Sequence, residues 1–192
     1  MLFRTVVALA ALTALTACAG VGIVDSNDPN VKVAQAEQLT RVGRAAQARR
    51  QLDEAIPLFE AKNDKAGLAE VYRQYGFLAR LGGAQEGVIA IRQPVAAYSS
   101  ANLALSDQYL HKSVALFAEA DRLDMASNVY MQLSNNAYFR KETKEACAYL
   151  DHSSAVHRQW QAKHPGAAIE LPQGMKTFDD LIAYMKKETG CA

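Results

Sequence analysis

Shifted against itself by 58 residues, the chain superimposes Ala46 on Ala104, Leu52 on Leu110, Leu58-Phe59 on Leu116-Phe117, Val71-Tyr72 on Val129-Tyr130, Gln74 on Gln132 and Ala79 on Ala137. Eight identities fall within 34 positions, and because alanine is abundant the Leu-Phe and Val-Tyr-x-Gln matches carry the weight. Between Pro29 and Pro165 the chain is rich in Ala, Leu, Glu, Gln and Arg, and glycine stands alone except at Gly82-Gly83. Almost nothing there reads as a strand, so the repeated unit is helical. One helical hairpin cannot bury its apolar side alone, whereas stacked hairpins cover each other and leave only the ends to protect. An all-α stack of hairpins is therefore expected.

The segment Leu39-x-x-Val42-Gly43-x-x-Ala46, followed by Ala55-Ile56-Pro57-Leu58-Phe59, resembles a tetratricopeptide repeat. That resemblance implies a small residue on the first helix, a second small residue twelve positions later and an aromatic four beyond it, the roles of Gly43, Ala55 and Phe59. The same ruler fits Tyr130, Leu133, Ser134, Ala137, Ala146 and Leu150. It fits Tyr72, Tyr75, Gly76, Ala79 and Val88 with Arg92 in the aromatic place, and more weakly Ala97, Ala101, Ala104, Ser113 and Phe117. Gly43 to Gly76 and Ala101 to Ser134 both span 33 residues, but Gly76 to Ala101 spans 25. The middle is thus irregular, with Pro94 expected to end a shortened helix because proline lacks a donor and clashes with the preceding turn. Pro57 is tolerable if its helix starts near Leu52 or Asp53, where the first four N–H groups have no intrahelical partner. The implied fold is an α-solenoid of about four tetratricopeptide-like hairpins with a C-terminal capping helix.

The N-terminus carries a different signal. Arg4 precedes an apolar run of ten residues from Val6 to Leu15, followed by Thr16-Ala17-Cys18. This has the layout of a secretory signal peptide and is too short to span a bilayer. Leu15-Thr16-Ala17-Cys18 resembles a bacterial lipobox, which implies cleavage before Cys18 and acylation of its thiol. The alternative is plain secretion with cleavage nearby. Several acyl chains, at about 0.8 kcal/mol per buried methylene, give stable membrane attachment where one does not. Ala19, with no aspartate after Cys18, resembles lipoproteins sorted to the periplasmic side of the outer membrane. The expected organisation is a signal peptide over 1–17, a lipidated tether over 18–33, the tetratricopeptide-like array over 34–163, and a loop with a capping helix over 164–192.

The full sequence has 21 basic and 20 acidic side chains, and loss of Arg4 with the leader brings them into balance. Nucleic-acid binders advertise a clustered basic surface, so a nucleic-acid partner is excluded. In an oxidising periplasm, where disulfides persist, Cys147 and Cys191 are expected to pair, the alternative being a buried free Cys147 and a frayed Cys191. Such a bond would pin a helix starting at Thr177-Phe-Asp-Asp180, a capping-box-like sequence. In that helix Phe178, Leu181, Ile182 and Met185 make an apolar stripe.

Catalytic patterns are missing. His111, His152, His157 and His164 lack zinc-helix spacing and read as solvated or hydrogen-bonded side chains. Asp151, His152, Ser153 and Ser154 are sequence neighbours that do not face one another on a helix. No enzyme activity, metal or cofactor is expected. In the family the chain resembles, ligands lie along the first helix of each hairpin. The matching positions are Thr40, Arg44 and Gln47; Arg73, Phe77 and Arg80; Tyr98, Asn102 and Leu105; and Met131, Asn135 and Tyr138. Arg with Tyr and Phe is the composition of binding hot spots, and Asn102 and Asn135 suit an extended peptide backbone. The expected partner is a peptide or protein of the cell envelope. The rival is a carrier of lipid or another apolar small molecule, with Phe77, Tyr98, Leu105, Met131 and Tyr138 lining a cavity, and a third reading is a structural lipoprotein whose array dimerises. Exposed Arg44, Arg73 and Arg80 on an open groove would favour a protein partner, and an enclosed apolar void above about 300 Å³ would favour a lipid. Trp160 is expected in the core beneath the C-terminal loop.

Overall fold

The computed structural model describes residues 22–82 and 98–191. Among them are α1 (Pro29–Arg41), α2 (Ala45–Ala61), α3 (Lys65–Arg80), α4 (Ser100–Glu119), α5 (Leu123–Phe139), α6 (Thr143–Lys163) and α7 (Phe178–Thr189), with no strand among the described residues. The helices pack as adjacent pairs, α1 with α2, α3 with α4 and α5 with α6, and α7 docks on α6. The fold is an all-α helical repeat array.

Four of the turns are copies of one device. Gly43, Asn63, Asp121 and Lys141 sit mid-turn at φ of 78°, 51°, 54° and 64°. The next residue's N–H reaches back five positions: Arg44 to Leu39, Asp64 to Phe59, Arg122 to Phe117 and Glu142 to Ala137, at 2.8–3.0 Å. This left-handed closure occupies carbonyls that the helix end leaves unpaired.

These turns reset the repeat ruler. Gly43 and Val42 lie in the α1–α2 turn, not on a helix, and Val42 is exposed. Gly76 and Ser134 keep the small-residue place on α3 and α5, and Ala36 takes it on α1 in place of Gly43, against Ser106-Leu110-Ser113, Ala146-Leu150-Ser153 and Ala48-Leu52-Ala55 on α4, α6 and α2. Ala36 to Ala48 and Ser134 to Ala146 are twelve residues, whereas Gly76 to Ser106 is thirty. The second hairpin therefore carries an insertion of 18 residues in its connection, and the underlying period, read from Ala36 to Gly76, is 40. The 58-residue shift is that period plus the insertion, and it lays α2 and α3 on α4 and α5.

The expected weak third hairpin is absent from the described residues, because Ala101, Ala104, Ser113 and Phe117 all belong to the one 20-residue helix α4. Three hairpins and α7 account for the described residues. Val88, Arg92, Pro94 and Ala97 lie outside them, as does Cys18. Residues 29–33, expected in the tether, open α1, with Asp28 capping Asn30 and Val33 in the core. Pro57 is interior to α2, which begins at Ala45 rather than near Leu52. The Asp53 carbonyl thereby loses its usual donor four residues on.

At the C-terminus the Thr177 hydroxyl accepts from the Asp180 N–H while the Asp180 carboxylate accepts from the Thr177 N–H, a complete capping box. Phe178 and Ile182 are buried against α5 and α6 residues. Cys147 of α6 and Cys191 are joined by a disulfide with Cα atoms 5.8 Å apart. Lys186 also pairs with Asp151 at 2.5 Å.

Candidate functional site

Among the described residues, two regions stand out as places where another molecule could sit. The first is the face made by α3, α5 and the start of α4. On α3, Arg73, Phe77 and Arg80 follow one another at helical spacing, and both guanidinium carbons lie over the Phe77 ring, at 5.2 and 5.6 Å. Arg80 also reaches the Phe139 ring of α5 at 5.9 Å and donates to the Gln132 carbonyl at 3.1 Å. Tyr98 packs on Phe139 at 4.8 Å, and Tyr138 flanks the same ring at 6.0 Å. Six aromatic and cationic groups thus form one continuous patch.

Few of its cations are loose. Arg73 is held by both oxygens of Glu70, at 2.6 and 2.7 Å. Burial lowers the Arg80 pKa to about 10, with Tyr98 and Asp107 pulling the other way, so the group remains charged at neutral pH. Its Nε is buried without a partner. Arg80 is a strut between α3 and α5. Arg44 caps the start of α2 and is half-buried, far along the chain from the patch. Leu105 and Asn102 are half-buried on α4, Asn135 is half-buried on α5, and Tyr138 is 46% exposed. Thr40 is buried, its hydroxyl spent on the Ala36 carbonyl.

A polar lock beside the patch escaped sequence reading. Asn136, fully buried, donates to Ser106 at 2.8 Å and Asp107 at 2.7 Å, tying α5 to α4. Arg140 in the α5–α6 turn pairs with Asp107 and Glu142, both at 2.5 Å. Although burial opposes its charge, the hydrogen bonds it donates to these carboxylates hold its pKa above the ordinary arginine value. Arg140 aligns the turn, and nothing about its sequence spacing announced that.

The second region is a half-open cavity of about 550 Å³ between α5, α6, α7 and the loop that joins the last two. Met125, Met131, Ile169, Leu171 and Leu181 supply apolar wall, and His157 and Trp160 complete one side. Of the five residues expected to line a carrier cavity, only Met131 does so. Here the His157 ring is stacked on Phe178, 3.8 Å between centroids, and is 3% exposed. Its Nε2 is buried without a partner. Burial pulls the His157 pKa below the usual imidazole value, with Asp179 and Asp124 opposing weakly, which keeps the ring neutral. The expected solvated or hydrogen-bonded histidine is thus neither solvated nor satisfied at that atom. Trp160 stacks on His164 at 5.4 Å and faces the loop. The signal for this site was the spacing of His157, Trp160 and His164, three and four residues apart, which places them on one helix face.

No group of three or more His, Cys, Asp or Glu with metal-binding geometry occurs among the described residues, and no described helix is long and apolar enough to cross a membrane. No family model matches the chain, no curated protein matches it, and no solved structure matches it.

Proposed function

We propose that this chain is a lipid-anchored periplasmic adaptor, held to the outer membrane through acylated Cys18, whose tetratricopeptide-like array binds a peptide or protein partner in an envelope complex. It does no chemistry of its own. The observation that carries the reading is the patch in which Arg73, Phe77 and Arg80 meet Tyr98, Phe139 and the 46% exposed Tyr138. Aromatic and arginine side chains dominate binding energy where they cluster, since they bury large rigid area and can be enclosed by a partner.

A photo-crosslinking residue at Tyr138, introduced in cells of the source type, tests it. One or a few discrete adducts are expected from Tyr138 and not from Tyr184, which is somewhat more exposed, at 52%, but lies on α7. Identical adduct patterns from both positions, or none from Tyr138, would sink the adaptor. The anchor has its own check: Cys18→Ser should move the protein from the membrane fraction to the soluble one.

A second reading, a carrier of an apolar small molecule, is favoured by the cavity of about 550 Å³ at the C-terminal end. That volume lies within the range of roughly 300–1,000 Å³ that small-molecule sites occupy.

A further inference from the structure

The cavity between α5, α6 and α7 has a composition that selects among ligands. Its walls combine aliphatic and thioether side chains, among them Met125, Met131, Ile169 and Leu181, with the Trp160 and Phe178 rings and the polar Ser127 and Asn128. Methionine adapts its shape to irregular apolar guests. The His157 ring forms part of this wall, and its Nε2 is buried with no hydrogen-bond partner. Buried polar atoms in folded proteins are nearly always hydrogen-bonded, and an orphan calls for a reason. A bound molecule would supply it.

The charges around the cavity restrict what that molecule can be. No Lys or Arg lines it, while Asp124 and Glu170 do. Arg122 lies alongside, but its charge is already paired with the Asp124 carboxylate through Nε and one Nη, at 3.0 and 2.8 Å. A carboxylate or phosphate entering here would meet no Lys or Arg in the wall, an Asp124 already paired with Arg122, and Glu170 of its own sign, and an unpaired buried charge is costly. A neutral imidazole Nε2 donates or accepts according to tautomer. A hydroxyl can answer either one, whereas a ketone can answer only a donor.

We propose that this cavity binds an uncharged single-chain amphiphile, its hydrocarbon chain among Met125, Met131, Ile169 and Leu181 and its hydroxyl on His157 Nε2. The proposal rests on the carrier reading and adds to it the class of ligand and the residue that selects the head group.

Trp160 is the sole tryptophan of the sequence and stands in the cavity wall, so its emission reports occupancy. The full exported chain carrying Cys18→Ser, with its disulfide formed, is titrated at pH 8 with 1-decanol and, separately, with decanoate. Saturable change in Trp160 emission is expected with 1-decanol, and at least about tenfold weaker binding with decanoate, because its charge must be buried unpaired. His157→Phe keeps an aromatic ring against Phe178 and removes the polar atom, and should weaken 1-decanol about fivefold, the scale of one hydrogen bond. Ala168→Phe fills the cavity mouth from an exposed loop position, where the core is untouched, and should abolish the response.

Saturable binding of neither probe would sink this proposal together with the carrier reading. Equal affinity for the two probes, or an affinity for 1-decanol unchanged in His157→Phe, would overturn the head-group selection and leave a carrier of other chemistry. Undiminished 1-decanol binding in Ala168→Phe would place the ligand elsewhere and overturn the site.

Discussion

The Ser113 hydroxyl on α4 donates a 2.8 Å hydrogen bond to the Ala69 carbonyl on α3. The same bond recurs one unit later, from Ser153 on α6 to the Ser127 carbonyl on α5, also at 2.8 Å. Ser113 and Ser153 are 40 residues apart, and Ala69 and Ser127 are 58 apart, the two separations the repeat requires. Each serine is fully buried, so the bond forms away from competing water and fixes how far one helix can slide on the next.

Ser113→Ala should therefore cost about 1 kcal/mol, the net value of one such bond. The figure stays low because the Ala69 carbonyl lies within α3 and retains the helix ladder, and because the first hairpin already carries Ala55 at this position. Urea unfolding of Ser113→Ala, Ser153→Ala and the double variant should give losses that add, since the two bonds join different helix pairs. A double variant no weaker than either single one would mean the hairpins do not depend on these bonds.

Gly67 offers a case where helix propensity and packing disagree. Alanine is the better helix former by about 1 kcal/mol, but a Cβ at Gly67 would lie 2.1 Å from the Phe59 ring. Phe59 is 1% exposed and has nowhere to swing. Overpacking of this kind costs about 1–3 kcal/mol. Gly67→Ala should thus lower the thermal midpoint, while Gly22→Ala, with nothing within 4 Å of its would-be Cβ, should leave it unchanged.

The sequence carried the helical class and the relation of α2-α3 to α4-α5, because buried identities such as Leu52 with Leu110 and Phe59 with Phe117 survive where packing allows little change. The Thr177–Asp180 capping box was legible for a local reason: its donors and acceptors are three residues apart. The first hairpin's register was not, since Gly43 fits a helix ruler and a left-handed turn equally well until the next residue's hydrogen bond to Leu39 is known. Of the groove residues, Arg73, Phe77, Arg80, Tyr98 and Tyr138 do come together, but through Phe139, which no spacing rule selected. Only the helical spacing of His157 and Trp160 on α6 pointed towards the cavity, because the rest of its wall depends on where the 164–177 loop and α7 fold back, a long-range outcome that leaves no periodic trace.

The disulfide and the cavity are mechanically linked. Helix α7 contributes Phe178 and Leu181 to the cavity wall and buries little else besides Ile182. Bridging residues 44 apart in sequence is worth about 4 kcal/mol in the loop-entropy picture. With Cys147→Ser and Cys191→Ser together, α7 should open locally before the array unfolds, as weakly packed terminal elements do. Hydrogen exchange should then lose protection over 182–189 while α5 keeps its own. Equal loss across α5 and α7 would indicate that the bond stabilises the whole body and not the docking of the last helix.

Acid should act on the same end of the molecule. His157 titrates lower in the fold than the ordinary 6.5, owing first to burial. The unfolded chain thus takes up the proton at a higher pH than the folded one. Stability from the neutral ring is complete above the unfolded value and is lost progressively as pH falls from about 6.5 towards the lower folded value. The carboxylates nearest in effect, Asp179 on α7 and Asp124 on α5, oppose the shift and do not cancel it. Thermal midpoints measured from pH 8 to pH 5 should fall more steeply for the native protein than for His157→Phe, which has no proton to take up there. His111, His152 and His164 are present in both proteins, so the difference between the two curves isolates His157. Parallel curves would mean that the ring takes up its proton alike in the folded and the unfolded chain, and that its burial in the fold imposes no cost on the charged form.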